Sequence, residues 1–143
     1  MNSKTIIAAV VGAIASFLLG WVVYGMLLVD YFKSNTVQYE GMMLPDGEMK
    51  LWAIFISNLA SSWLFAWLFS RMNVRTFAGG FQTGAIINFV WALAIDMMFY
   101  SMMNWFANST IIVVDVIVNA IFGGIIGGII AMMLGRTEKT ATA

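Results

Sequence analysis

Two carboxylic acids stand inside apolar runs of this chain, Asp96 in WALAIDMMFY and Asp115 in IIVVDVIVNAIF. An acid in such surroundings can hold a proton, bind a hard cation through its oxygens, or pair with a basic side chain. Other oxygen-bearing groups recur at compatible depths. Asn119 follows Asp115 by one helical turn, Tyr100 follows Asp96 by one, Asn58 stands in a third apolar run, and Asp30 closes the first. At about 1.5 Å of rise per residue, Asp96 lies about 12 Å from Asn104, Asp115 about 7.5 Å from Thr110 and Asn58 about 10 Å from Leu51. If the polar faces turn inward, Asp96, Asp115, Asn58, Asn119, Asp30 and Tyr100 share one layer and form a candidate polar site.

What the chain lacks narrows the chemistry. It has no cysteine and no histidine, which removes thiol chemistry, disulfides, and the commonest transition-metal ligand and general base. No nucleophile stands beside a base and no phosphate-binding loop occurs, so the expectation is a protein that is not an enzyme and uses no cofactor or resident metal. Its formal net charge is zero and it has no basic run, so the electrostatic footprint of nucleic-acid binding is missing. For the acids this leaves hydrogen-bonded glue between helices, a proton or cation site, or a counter-charge from another subunit.

The elements that must position these groups follow from composition. Of the 143 residues, 62% are hydrophobic and 10% charged, with a mean hydropathy of +0.89. Soluble domains run near roughly 45–50% apolar and 25% charged. The apolar residues gather into four blocks, residues 5–29, 51–70, 81–103 and 111–134, each near the roughly 20 residues that cross a bilayer as a helix. The chain is therefore expected to be a single all-α domain, an integral membrane bundle of four transmembrane helices with residues 30–50 as an outer loop. Lys4 ahead of the first apolar run imitates a signal peptide, but the run continues too far, and a retained helix is expected.

Positive charge sets the expected orientation. Lys4, Arg71, Arg75, Arg136 and Lys139 fall at the N-terminus, the second connection and the C-terminal tail, whereas the first and third connections hold only Lys33 and Lys50. Positive residues near helix ends stay on the cytoplasmic side, which puts both termini there. Tyr31, Phe32, Tyr39, Trp52, Trp105 and Phe106 would then form an outer interfacial belt. Asp46 is expected to cap the second helix with Glu48 in its first turn, and Asn108, Ser109 and Thr110 to cap the fourth. The sequon at Asn108 is read as that cap rather than as a glycosylation site.

Every fourth residue picks out a small or polar stripe on each helix: Ala8, Gly12, Ser16, Gly20 and Tyr24; Asn58, Ser62, Ala66 and Ser70; Gly80, Gly84, Asn88, Ala92, Asp96, Tyr100 and Asn104; Asp115, Asn119, Gly123, Gly127, Ala131 and Gly135. Residues four apart share a helix face, and small ones allow close approach in lipid. The four stripes are expected to face one another. Gly123 with Gly127 and Gly124 with Gly128 form two overlapping small-residue pairs, one suited to the bundle interior and the other to the same interior or to a second protomer. Met97, Met98, Met102 and Met103 crowd one helix end. Met98 with Met102 resembles the methionine pair of copper-transporting helices, since thioethers select Cu(I), though methionine is also an ordinary apolar filler.

The segments VGAIASFLLGWVVYGMLLVDYF, GGFQTGAIINF and VVDVIVNAIFGGIIGGII resemble uncharacterised families of small bacterial four-helix membrane proteins. That resemblance implies a bacterial inner membrane and brings no activity or ligand. The expected function is a non-catalytic membrane component that packs with itself or with other membrane subunits in the lipid bilayer. The alternative is a proton- or cation-linked transporter or channel using Asp96 and Asp115.

Overall fold

The computed structural model describes residues 3–45 and 47–139. Among the described residues the chain is helical, and four helical segments are long and apolar enough to cross a membrane: Ser3–Leu27, Leu51–Arg71, Phe77–Met102 and Thr110–Arg136. The first is not one regular helix. Helix α1 (Ser3–Val22) passes into a π-helical turn, Val23–Leu27, and ends at Leu28. A short helix α2 (Val29–Asn35) then departs on its own, so the expected first helix over 5–29 breaks near its end and the expected outer loop begins with a helix. The weak point in the run is Gly25, inside the π-helical turn, since glycine costs about 1 kcal/mol in a helix interior against alanine.

Helix α3 (Leu51–Arg71) has no side-chain cap at Lys50. The expected cap, Asp46, lies outside the described residues. Glu48 precedes the helix instead of occupying its first turn, its amide bonded to the Pro45 carbonyl at 3.0 Å. Helix α4 (Phe77–Met102) starts four residues before the expected position because the Thr76 hydroxyl accepts a hydrogen bond from the Gly79 amide, drawing Gly79 and Gly80 into the helix. Helix α5 (Thr110–Lys139) is capped as expected. Asn108 Oδ1 accepts from the Thr110 and Ile111 amides at 3.1 and 3.3 Å.

The four long apolar segments do not meet as equals. Helix α5 is central and packs against α4, α1 and α3, while α4 leans chiefly on α5 and α3 chiefly on α1. The main core lies among α1, α3 and α5, built from Ala8, Ala9, Phe65, Ala66, Phe69, Ile126, Ile130, Ala131 and Leu134. Gly12 admits this packing: a Cβ there would stand 2.7 Å from the Ile130 side chain and 3.1 Å from Ser62 Oγ. The expectation that all four stripes face one centre is corrected accordingly. The stripe of α4 meets that of α5, and those of α1 and α3 meet another side of α5.

The end of the bundle that carries the 28–50 and 103–109 connections is roofed. Tyr31, Phe32 and Phe106 pack over Ala92, Ile111, Ile112 and Val116. The two connections are tied by backbone bonds from Val37 to Trp105 (2.8 Å) and Ala107 to Asn35 (2.9 Å). Asn108 Nδ2 also donates to Asn35 Oδ1 at 2.7 Å, and the Tyr39 hydroxyl to the Asn104 carbonyl at 2.6 Å. The expected aromatic belt therefore divides: Tyr31, Phe32 and Phe106 turn inward as roof, while Trp52 is exposed.

Candidate functional site

The site is created by how closely α4 and α5 approach. The helices run antiparallel, and their small residues meet in steps of four. A Cβ on Gly80 would strike the Gly127 carbonyl oxygen and Ala131 Cβ; one on Gly84 would strike the Gly123 carbonyl oxygen and lie 3.1 Å from Gly127 Cα. A Cβ on Gly123 would strike the Asn88 side chain. Hydrogen alone fits at these positions, so the backbones touch, as helices in lipid do where small residues line the seam. Continued toward the roofed end, the same step sets Ala92 opposite Asn119 and Asp96 opposite Asp115.

There the two acids come side by side, each within electrostatic reach of the other. Two neighbouring carboxylates repel each other, and one proton held between them relieves this. In that state the pair carries one negative charge. Asn119 fixes Asp115, since its Nδ2 donates both to Asp115 Oδ2 and to the Asp115 carbonyl at 3.0 Å. Asp96 is 7% exposed, and its Oδ2 is buried with no hydrogen-bond partner among the described residues.

A third element contributes Tyr24. It stands in the π-helical turn, a geometry that recurs at functional sites, and its ring lies 5.7 Å from that of Phe32 and 6.3 Å from that of Phe122. Its hydroxyl is buried without a hydrogen-bond partner and is in electrostatic reach of both Asp115 and Asp96. The result is an oxygen-only group of two acids, a phenol and an amide beneath an aromatic roof. It can hold protons and coordinate a hard cation.

Of the residues expected to converge, the fold unites Asp96, Asp115 and Asn119. It does not unite the other three. Asp30 is exposed on α2, whose neighbouring Tyr31 and Phe32 are the residues that pack inward. Asn58 is half-buried on α3, which packs on α1 and α5, and no hydrogen bond joins it to either acid among the described residues. Tyr100 is 53% exposed, since the seam beyond Asp96 is closed by Ile111 and its aromatic cover. Met97, Met98, Met102 and Met103 are all exposed, so none of them joins this site.

The glycine expectations also divide. Gly84, Gly123 and Gly127 are contact glycines of the seam. Gly124 and Gly128 face the rings of Phe81 and Phe77 on α4, where a Cβ would come within 2.8 and 2.6 Å, so both overlapping pairs serve the same helix partner within the chain. Gly20 is no close contact, because a Cβ there would meet Phe122 at an ordinary 3.9 Å.

Tyr24 was legible as the last member of the first stripe. Reading the stripes of α4 and α5 in opposite directions also pairs small with small and acid with acid. Compared with known proteins, the chain matches no family model, no curated protein and no solved structure.

Proposed function

We propose that this chain is a small non-catalytic membrane protein acting as a structural or accessory component, associated with copies of itself or with other membrane subunits. The observation that carries the reading is the filled interior. Phe65, Phe69, Ile126, Ile130 and Leu134 occupy the centre of the α1, α3 and α5 packing, which leaves the oxygen site at one end with solid apolar core beyond it. Association is supported by α4. Only 11% of its most apolar stretch is buried, against 44% in α5. Mass measurement of the chain extracted in mild detergent tests this, with a discrete oligomer or a stable co-purifying subunit expected. A monodisperse monomer in native lipid discs with no partner would overturn it.

The setting belongs to the same proposal: a bacterial inner membrane with both termini in the cytoplasm, supported by the placement of Lys and Arg. A reporter active only outside the cytoplasm should be active when inserted at Gly41, in the exposed part of the 36–50 connection, and silent when fused beyond Arg136. The reverse pattern would invert the topology.

A second reading, a proton- or cation-linked transporter, is favoured by one observation, the contact between Asp96 and Asp115 with no basic residue in the middle of any spanning helix. Such acids commonly mark ion pathways. With the core filled, conduction would need a path along the seam or between protomers. Flux of protons or alkali cations into proteoliposomes, absent from the Asp96→Asn variant, is the corresponding test.

A further inference from the structure

We infer that Asp96, Asp115 and Tyr24 bind one hard monovalent cation, an alkali ion, at the roofed end of the α4 and α5 seam. The inference rests on the second reading only in taking the acid pair as a ligand site, and it does not require transport.

Three observations converge. The first is the chemistry of the donors, which are all oxygen: two carboxyl groups, the Tyr24 phenol and, with Asn119 Nδ2 already committed to Asp115, the remaining amide oxygen of Asn119. Such a set suits hard cations and matches soft metals poorly. The second is the pair of orphaned groups. Asp96 Oδ2 and the Tyr24 hydroxyl are buried on different elements with no hydrogen-bond partner among the described residues, although buried polar atoms are rarely left that way. A cation would satisfy both, accepting electron density from the carboxyl oxygen and the phenol together.

The third is charge. With one proton shared between the acids, the site keeps one negative charge, which a single monovalent ion neutralises while the proton stays in place. A divalent ion would need more carboxylates, and no group of three acidic, His or Cys side chains that could hold a metal occurs among the described residues. The neighbouring elements do not alter this balance. The roof brings Tyr31 against the adjoining cluster, while Asp30 and Lys33 on α2 are exposed. A second proton would neutralise the site equally well, so proton and cation compete for it.

The test is thermal unfolding of the full chain in detergent, titrated with NaCl against choline chloride at constant ionic strength, from mildly acidic to mildly alkaline pH. Sodium should raise the unfolding temperature saturably. Its apparent affinity should fall by about tenfold for each unit by which the pH is lowered, where one proton displaces one ion. Asp96→Asn and Asp115→Asn should abolish the response. Tyr24→Phe keeps the ring packing against Phe32 and Phe122 and should weaken apparent affinity by about tenfold, the loss of one good ligand, so a variant remains even where an acid substitution fails to fold. Equal curves in sodium and choline at every pH would overturn the inference, as would a sodium response retained in Asp96→Asn. Stabilisation by Ca²⁺ or Mg²⁺ alone would overturn the charge argument, and a response to pH alone would assign the pair to protons. Saturable sodium binding without flux in proteoliposomes would retire the transporter and leave this site standing.

Discussion

Gly84→Ala should destabilise the chain by roughly 2 kcal/mol or more, the upper part of the range for overpacking a close contact, although alanine is the better helix former by about 1 kcal/mol. The added methyl has nowhere to go, since it strikes the Gly123 carbonyl oxygen and crowds Gly127 Cα, and backbone of a neighbouring helix cannot rotate aside. Gly127→Ala should behave alike, because its methyl meets the Gly80 carbonyl oxygen. Gly124→Ala is the informative contrast. Its methyl meets the Phe81 ring at 2.8 Å, and that ring, exposed on the surface of α4, can swing away, so the change should stay within about 1 kcal/mol of wild type once helix propensity offsets the crowding. Leucine at position 84 or 127 should part the helices altogether. The measurement is reversible unfolding in mixed detergent micelles, and equal losses for the alanine variants at 84 and 124 would refute a seam closed by backbone contact.

The second large effect concerns the acids, and it is read from a cycle of substitutions. Asp96→Asn should leave stability within about 1 kcal/mol of wild type, because an amide N–H can donate the bond that the shared proton supplied. Asp96→Leu should cost about 1–3 kcal/mol, the range for stranding a buried polar partner, since it leaves the Asp115 carboxyl in the seam with only Asn119 to hold it. Replacing both acids by leucine should recover much of that loss. Removing a buried polar pair whole is often far milder than removing half of it. A coupling energy near zero across the cycle would mean that the two side chains do not interact, and would take the candidate site with it.

Both experiments act on a single seam, and its parts were unequally legible. The helices could be read directly: long apolar blocks with turn residues between them leave few alternatives, because backbone polar groups in lipid must be satisfied within the segment. The cap at Asn108 was legible as well, since its side chain acts on amides two and three residues away. The small and polar stripes were equally local, being set by helical periodicity, and so the type and height of Asp96, Asp115 and Asn119 could be stated from the chain alone.

Which stripe meets which was decided only in three dimensions. A stripe says that one face of a helix is small; it does not say what will lie against it. Asp30 and Asn58 stand at suitable heights, yet Asp30 is exposed on a helix whose Tyr31 and Phe32 pack inward, and the packing of α3 on α1 and α5 separates Asn58 from α4. Tyr100 continues the stripe of Asp96 by one turn, but Ile111 and the aromatic roof close the seam before it. Which of the two overlapping glycine pairs would pack within the chain was open in the sequence, and two rings on α4 fill the face of Gly124 and Gly128. The sequence by itself determined helices, faces and heights, because these depend on neighbours within a few residues. The tertiary structure decided the partners, because close approach of two backbones depends on the fit of every rung along the seam at once, and no single residue carries that information.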